Sequence, residues 1–127
     1  MIKIYTLGGD SMAWRYKIEK LMLIKTDKSI GYIHPPKYKL STMEYFQWFI
    51  KKISDCDVVI LNLNDLDDKS KYELVAINTI NAVSNKHIFV VGYGEQTEFP
   101  QFIKDALFHI STDIDEATDY IATTLID

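Results

Sequence analysis

The 127-residue chain contains one cysteine, Cys56, with three prolines and five glycines. A single cysteine excludes an internal disulfide, and a reducing compartment suits such a chain best. So little glycine and proline excludes collagen-like and Pro/Gly-rich disordered architectures, and the sequence shows no repeats. No apolar run reaches the ~18 residues of a membrane-spanning helix. Basic residues are in deficit, with 14 Lys and Arg against 18 Asp and Glu, a net charge of −4. A protein that grips phosphate backbones needs a basic surface, so no nucleic-acid partner is expected. The opening Met1-Ile2-Lys3-Ile4-Tyr5 reads as a strand, not a signal peptide, because no long apolar stretch follows a charged one. What is present is ordinary: 47% apolar and 25% charged residues. Residues 1–127 form one domain able to bury a core without staples, cytoplasmic and with no membrane partner.

The pattern along the chain alternates strand and helix. Ile2 to Leu7 is β-rich and ends at Gly8-Gly9, a reversal signal. Asp10 or Ser11 then caps a helix to about Leu23, carrying Trp14, Ile18, Leu21 and Met22 at near-helical spacing. Ser29 to Ile33 reads as a second strand, stopped by His34-Pro35-Pro36. Ser41 and Glu44 form a capping box. In the helix that follows, Met43, Phe46, Ile50 and Ile53 make a core stripe, leaving Tyr45 and Trp48 on a second aromatic face that meets a pocket or another subunit. Asp57 to Leu63 suits a central parallel strand covered on both faces. A polar loop, Asn64 to Ser70, leads to a helix from about Lys71 to Val83. His87 to Val91 is a fourth strand, Phe99 to Ala106 a short helix, and Leu107 to Ile110 a fifth strand. Asp113 and Glu116 open a last helix to about Leu125. Such alternation predicts an α/β three-layer sandwich of flavodoxin-like type, with a parallel sheet of four or five strands in the order 2-1-3-4-5. Ligands in such sheets bind beyond the carboxyl ends of the strands, at the switch between strands 1 and 3. Gly8-Gly9-Asp10 and Asn62 to Ser70 are the loops that arrive there.

Several residues in these loops bear chemistry. Gly8-Gly9 lets a ligand approach the backbone at a helix N-terminus, or is simply a tight turn; it is neither GxGxxG nor a P-loop. Glu73 is placed in the first turn of the third helix, where the dipole favours a carboxylate, the form a carboxylate nucleophile requires. Glutamate is also common there for that reason alone. Asp65, Asp67 and Asp68 lack EF-hand spacing and read as a solvated loop. A phospho-receiver would need an aspartate at the end of strand 3 and a lysine after strand 5. Asn62 and the missing lysine reject it. Asp55 and Asp57 beside Cys56 disfavour a thiolate. His34, His87 and His109 have no zinc spacing, so no metal or cofactor is expected. His34 reaches the pocket from the end of strand 2 or is a turn residue.

Taken in order, these segments resemble the nucleoside 2-deoxyribosyltransferase family, above all its small phage-encoded members. The resemblance lies in Ile4-Tyr5-Thr6-Leu7-Gly8-Gly9, in Trp14-Arg15, in the run from Ser54-Asp55 through Leu61 to Tyr72-Glu73-Leu74, and in Asp115-Glu116-Ala117 with Tyr120-Ile121. It implies that Glu73 attacks C1′ of a deoxyribosyl group and displaces the base, as in retaining glycosidases, before a second base or water takes the sugar. It further implies that Tyr5 holds Glu73 and that Asp67 binds the sugar hydroxyls. Gly8, Gly9, Asp10, Trp14, Arg15, His34, Trp48, Phe49, Asn62 and Asp65 are the residues placed around the substrate. Arg15 and Lys37 at the rim either take a 5′-phosphate or are ordinary surface charges. Relatives assemble as homodimers or larger homo-oligomers, for which Tyr45 and Trp48 are available. Phe49 departs from the pattern, standing after Trp48 where many relatives have an acid, and Lys69-Ser70-Lys71 replaces a segment that usually begins with glycine. The expected function is cleavage or transfer of the N-glycosidic bond of a deoxynucleoside or deoxynucleotide. The alternatives are a catalytically silent nucleotide-binding module, in which Phe49 stacks on a base, and an interaction protein using the Tyr45/Trp48 face.

Overall fold

A computed structural model describes residues 1–36, 40–95 and 98–126. Five strands, β1 (Ile2–Leu7), β2 (Ile30–Ile33), β3 (Val58–Asn62), β4 (Phe89–Tyr93) and β5 (His109–Ser111), alternate with helices α1 (Ala13–Lys25), α2 (Thr42–Ile53), α3 (Asp68–Val83), α4 (Gln101–Ala106) and α5 (Ile114–Tyr120). The last helix continues through a wider π turn, Ile121–Leu125. All strand pairs are parallel and the order is β2-β1-β3-β4-β5, the flavodoxin-like α/β arrangement.

Every residue of β3 is buried, as a central strand between two helical layers requires. Its residues alternate between the layers. Val59 and Leu61 join Tyr5, Leu7, Phe49, Ile53, Leu74 and Ile77 on the side of α2, α3 and α4. Val58 and Ile60 join Ile4, Trp14, Ile18, Met22 and Ala117 on the side of α1 and α5. The same alternation along β1 sends the Tyr5 side chain to the α2/α3 layer and the next residue, Thr6, toward Arg15 of α1.

Two helix starts differ from the sequence expectation. Neither Asp10 nor Ser11 caps α1: Met12 is its first flanking residue, with no side-chain cap bond. The Ser11 carbonyl is instead turned to the Arg15 guanidinium, and the Asp10 carboxylate faces solvent. Helix α3 begins at Asp68, three residues before the expected start, because Asp67 caps it by accepting from the Ser70 amide at 2.8 Å. Glu73 therefore lies in the second turn, beyond the reach of most of the helix-end dipole. The Ser41–Glu44 capping box opens α2 with both reciprocal bonds made, and Asp113 caps α5.

The inner face of α2 is also corrected. Phe49 and Ile53 are fully buried and Tyr45 and Trp48 pack against the same cluster, whereas Met43 is 68% and Ile50 44% exposed. The stripe Tyr45, Phe49, Ile53 at four-residue spacing competes with Met43, Phe46, Ile50, Ile53 on one helix. The bulkier aromatic stripe takes the core because it removes more apolar surface from water.

Candidate functional site

Three side chains from three elements meet between the sheet and the α2/α3 layer. Tyr5 of β1 donates to Glu73 Oε2 at 2.8 Å, and Tyr45 of α2 donates to Glu73 Oε1 at 3.0 Å. The two tyrosine oxygens stand 3.4 Å apart. Both carboxylate oxygens are thus fixed by hydroxyls on elements far apart in sequence. Glu73 is only 2% exposed. Burial pushes its carboxyl pKa above the ordinary range, and the bonds from Tyr5 and Tyr45 together with the Lys69 charge oppose that rise without cancelling it. Burial, followed by the repulsion of Glu73, drives the Tyr5 hydroxyl far above its usual value and raises Tyr45 as well. The tyrosines consequently remain donors.

Beside this cluster lies a cavity of about 420 Å³ bounded by Leu40, Thr42, Tyr45, Phe46, Lys69 and Tyr72. The Lys69 ammonium sits 4.7 Å from the centre of the Tyr45 ring and 3.7 Å from Asp10 Oδ1. Tyr45 is common to cavity and carboxylate. Neither the Tyr45 bond nor the position of Lys69 was legible from spacing, although Tyr45 at four residues before Phe49 carried a signal for the inner face.

The turn after β1 forms a second group of predicted residues. Glycine is needed there for close approach, since no described glycine has positive φ. A Cβ on Gly8 would fall 2.9 Å from the Trp14 ring and 3.0 Å from Asn62 Cβ. One on Gly9 would fall 2.1 Å from the Asp65 carboxylate. The Gly9 amide donates to the Asp65 carbonyl at 2.8 Å, and Asn62 Oδ1 accepts from the Asn64 amide. The larger overlap is the cheaper one. The Asp65 carboxylate is exposed and can swing, whereas Trp14 and Asn62 are buried and cannot. Gly8→Ala should therefore cost about 1–3 kcal/mol by overpacking and Gly9→Ala under about 1 kcal/mol, read from urea midpoints at unchanged slope.

Other predicted residues have structural duties. Arg15 is wholly buried: its guanidinium donates to the carbonyls of Gly9 and Ser11, both at 2.6 Å, and to Thr6 Oγ1 at 3.0 Å, with longer bonds to the Gly8 and Thr6 carbonyls. It stacks on Trp14 at 4.3 Å. This overturns its expected place at a phosphate-binding rim, because its donors are turned inward. Lys37, expected beside it, lies outside the described residues. His34 shares a 2.7 Å bond with Thr6 Oγ1, on the α1 side of the sheet and across it from Glu73. Burial holds its imidazole pKa below the ordinary value, against the pull of Glu19. Phe49 is fully buried, edge-on to Tyr5 at 5.5 Å, so it fills core and offers no face to a base. Trp48 stands 5.6 Å from the Tyr45 ring and 6.3 Å from that of Tyr5, buttressing both tyrosines. Tyr45 and Trp48 thus pack against the core while each stays half-buried, and the apolar residues that α2 leaves exposed include Met43 and Ile50. Asp67 spends Oδ1 on the Ser70 amide and hydroxyl. Partial burial would raise its carboxyl pKa, but those bonds prevail and lower it. Burial, more than Asp55 or Asp57, pushes the Cys56 thiol up to about 12.

Among the described residues no three His, Cys, Asp or Glu side chains gather as a metal site, and no helix is long and apolar enough to cross a membrane. No protein-family model matches the chain, and no curated protein matches it either. Solved structures do. A putative pilus assembly-related protein from Burkholderia pseudomallei aligns with a TM-score of 0.54 at 14% identity, over 96% of this chain and 90% of that one. A response regulator in red-light signalling of R. palustris aligns with a TM-score of 0.51 at 14% identity, over 97% and 90%. At such identity these likenesses show the fold alone. Asn62 closes β3 and Thr112 follows β5, so the aspartate and lysine that a phospho-receiver requires are missing here.

Proposed function

We propose that this chain cleaves or transfers the N-glycosidic bond of a deoxynucleoside or deoxynucleotide, with Glu73 as nucleophile. The observation that carries the reading is the buried carboxylate held by two tyrosine hydroxyls on one side of the sheet, next to a cavity. A carboxylate fixed at both oxygens has little reorientation left to make in the reaction itself. Partial desolvation makes it a stronger nucleophile than a surface glutamate. In the step inferred, a Glu73 oxygen bonds to C1′ as the C1′–N bond breaks. The bond pair leaves with the base, which takes up a proton. Water or a second base then attacks C1′ from the face the first base left, loses a proton, and frees the carboxylate. Tyr5 and Tyr45 stabilise the carboxylate as it departs.

The near-complete occlusion of Glu73 favours a second reading, a nucleotide-binding module without turnover. The two are separated by chromatography of free base released from a panel of deoxynucleosides and their 5′-monophosphates, with and without an acceptor base, beside Glu73→Ala. Base release or exchange that vanishes in the variant supports the enzyme. Thermal stabilisation by a panel member with no product supports the binder, since a ligand of the native state alone raises its stability. Neither result would leave both readings without support. Assembly into a homo-oligomer is part of the same proposal and is read by sedimentation.

A further inference from the structure

We propose that Lys69 is the acid that protonates the departing base, and that the cavity it lines beside Tyr45 receives that base. The inference rests on the glycosyl-transfer reading above and names its missing proton donor. The geometry is compact. One aromatic ring, Tyr45, has its hydroxyl on Glu73 at 3.0 Å and the Lys69 ammonium 4.7 Å from its centre. Tyr45, Phe46 and Tyr72 give the roughly 420 Å³ space three aromatic walls, a volume and lining suited to a planar heteroaromatic ligand. Lys69 is the one charged group among the described residues of that lining. Asp10 lies 3.7 Å away with its side chain 91% exposed and that of Lys69 32%, so this solvent-screened pair does not close the cation off.

The competing donors fail on their own surroundings. Phe49 carries no transferable proton and is sealed in the core. The hydroxyls of Tyr5 and Tyr45 are engaged with Glu73. His34 lies across the sheet on Thr6, and Cys56 is wholly buried. In the step inferred, the C1′–N bond breaks, its electron pair passes to the base, and an Nζ proton of Lys69 moves to a ring nitrogen of that base. Lys69 is left as a neutral amine. It regains its proton from the water or second base that attacks C1′, so the residue returns to its starting state with Glu73.

The test compares two leaving groups. A neutral deoxynucleoside needs a proton as its base departs, whereas 7-methyl-2′-deoxyguanosine already carries the charge and releases a neutral base unaided. For Lys69→Met, kcat/KM for the neutral substrate should fall about 100-fold while that for the methylated one stays within about 3-fold of wild type, the size expected for loss of a general acid. Lys69→Arg should not restore the neutral substrate, because guanidinium keeps its proton. Equal losses on both substrates, no loss on either, or full rescue by arginine would overturn the assignment. Wild type that releases neither base would instead bring down the glycosyl-transfer reading, and Lys69 with it.

Discussion

Replacing Arg15 by methionine should cost about 3 kcal/mol of folding stability, the largest loss expected from a single polar side chain here. The guanidinium is fully buried, and the carbonyls of Thr6, Gly8, Gly9 and Ser11 all converge on it. Methionine fills much of the volume but offers no donor, so several carbonyls are left inside without partners or the loop must open to water. A buried cation facing neutral carbonyls is itself expensive to desolvate, and its removal offsets part of the loss. The two bonds of 2.6 Å decide the balance, since bonds to a charged donor are about twice as strong as neutral ones. Lysine should rescue little, because a point charge cannot serve a planar fan of acceptors. Urea unfolding of the wild type and both variants is the measurement. A loss for Arg15→Met under about 1 kcal/mol would mean that the Gly8-Gly9 turn holds its shape without the guanidinium.

Glu73→Gln should abolish base release while raising stability at neutral pH. Without a carboxylate no covalent ester forms, and a fall of about 10³-fold or more is expected, as for removal of other nucleophiles. The stability effect follows from linkage. Burial, the largest cause, holds the folded-state carboxyl above its ordinary value, so the folded chain binds that proton more tightly than the unfolded chain. The contribution is therefore full below the unfolded pKa and is lost as pH rises through the folded one. Glutamine does not titrate and loses nothing. The melting temperature of Glu73→Gln should exceed that of wild type near pH 7, and the gap should close as the pH is lowered to about 4, near the ordinary carboxyl value. A variant less stable than wild type at neutral pH would show that the ionised carboxylate and its two tyrosine bonds hold the fold together. Melting curves at both pH values settle it.

The amino-acid sequence by itself determined the alternating elements, because the apolar run of β3 and the Ser41 and Asp113 caps are local features, and strands alternating with helices join in parallel through right-handed crossovers, as the 2-1-3-4-5 sheet does. The expected contact of Tyr5 with Glu73 came through resemblance, and the 2.8 Å bond between them is present. Tertiary structure alone decided three matters. A helical period of 3.6 residues leaves two plausible apolar stripes on α2, and only packing against β1 and α3 selects the one that brings Tyr45 to Glu73 and buries Phe49. An arginine reads as surface charge until folding curls four backbone carbonyls around it, an arrangement made by the β1–α1 turn and written in no side-chain pattern. Lys69 is one basic residue in a polar loop. Only the meeting of α2 with the start of α3 sets its ammonium over the ring that touches the carboxylate.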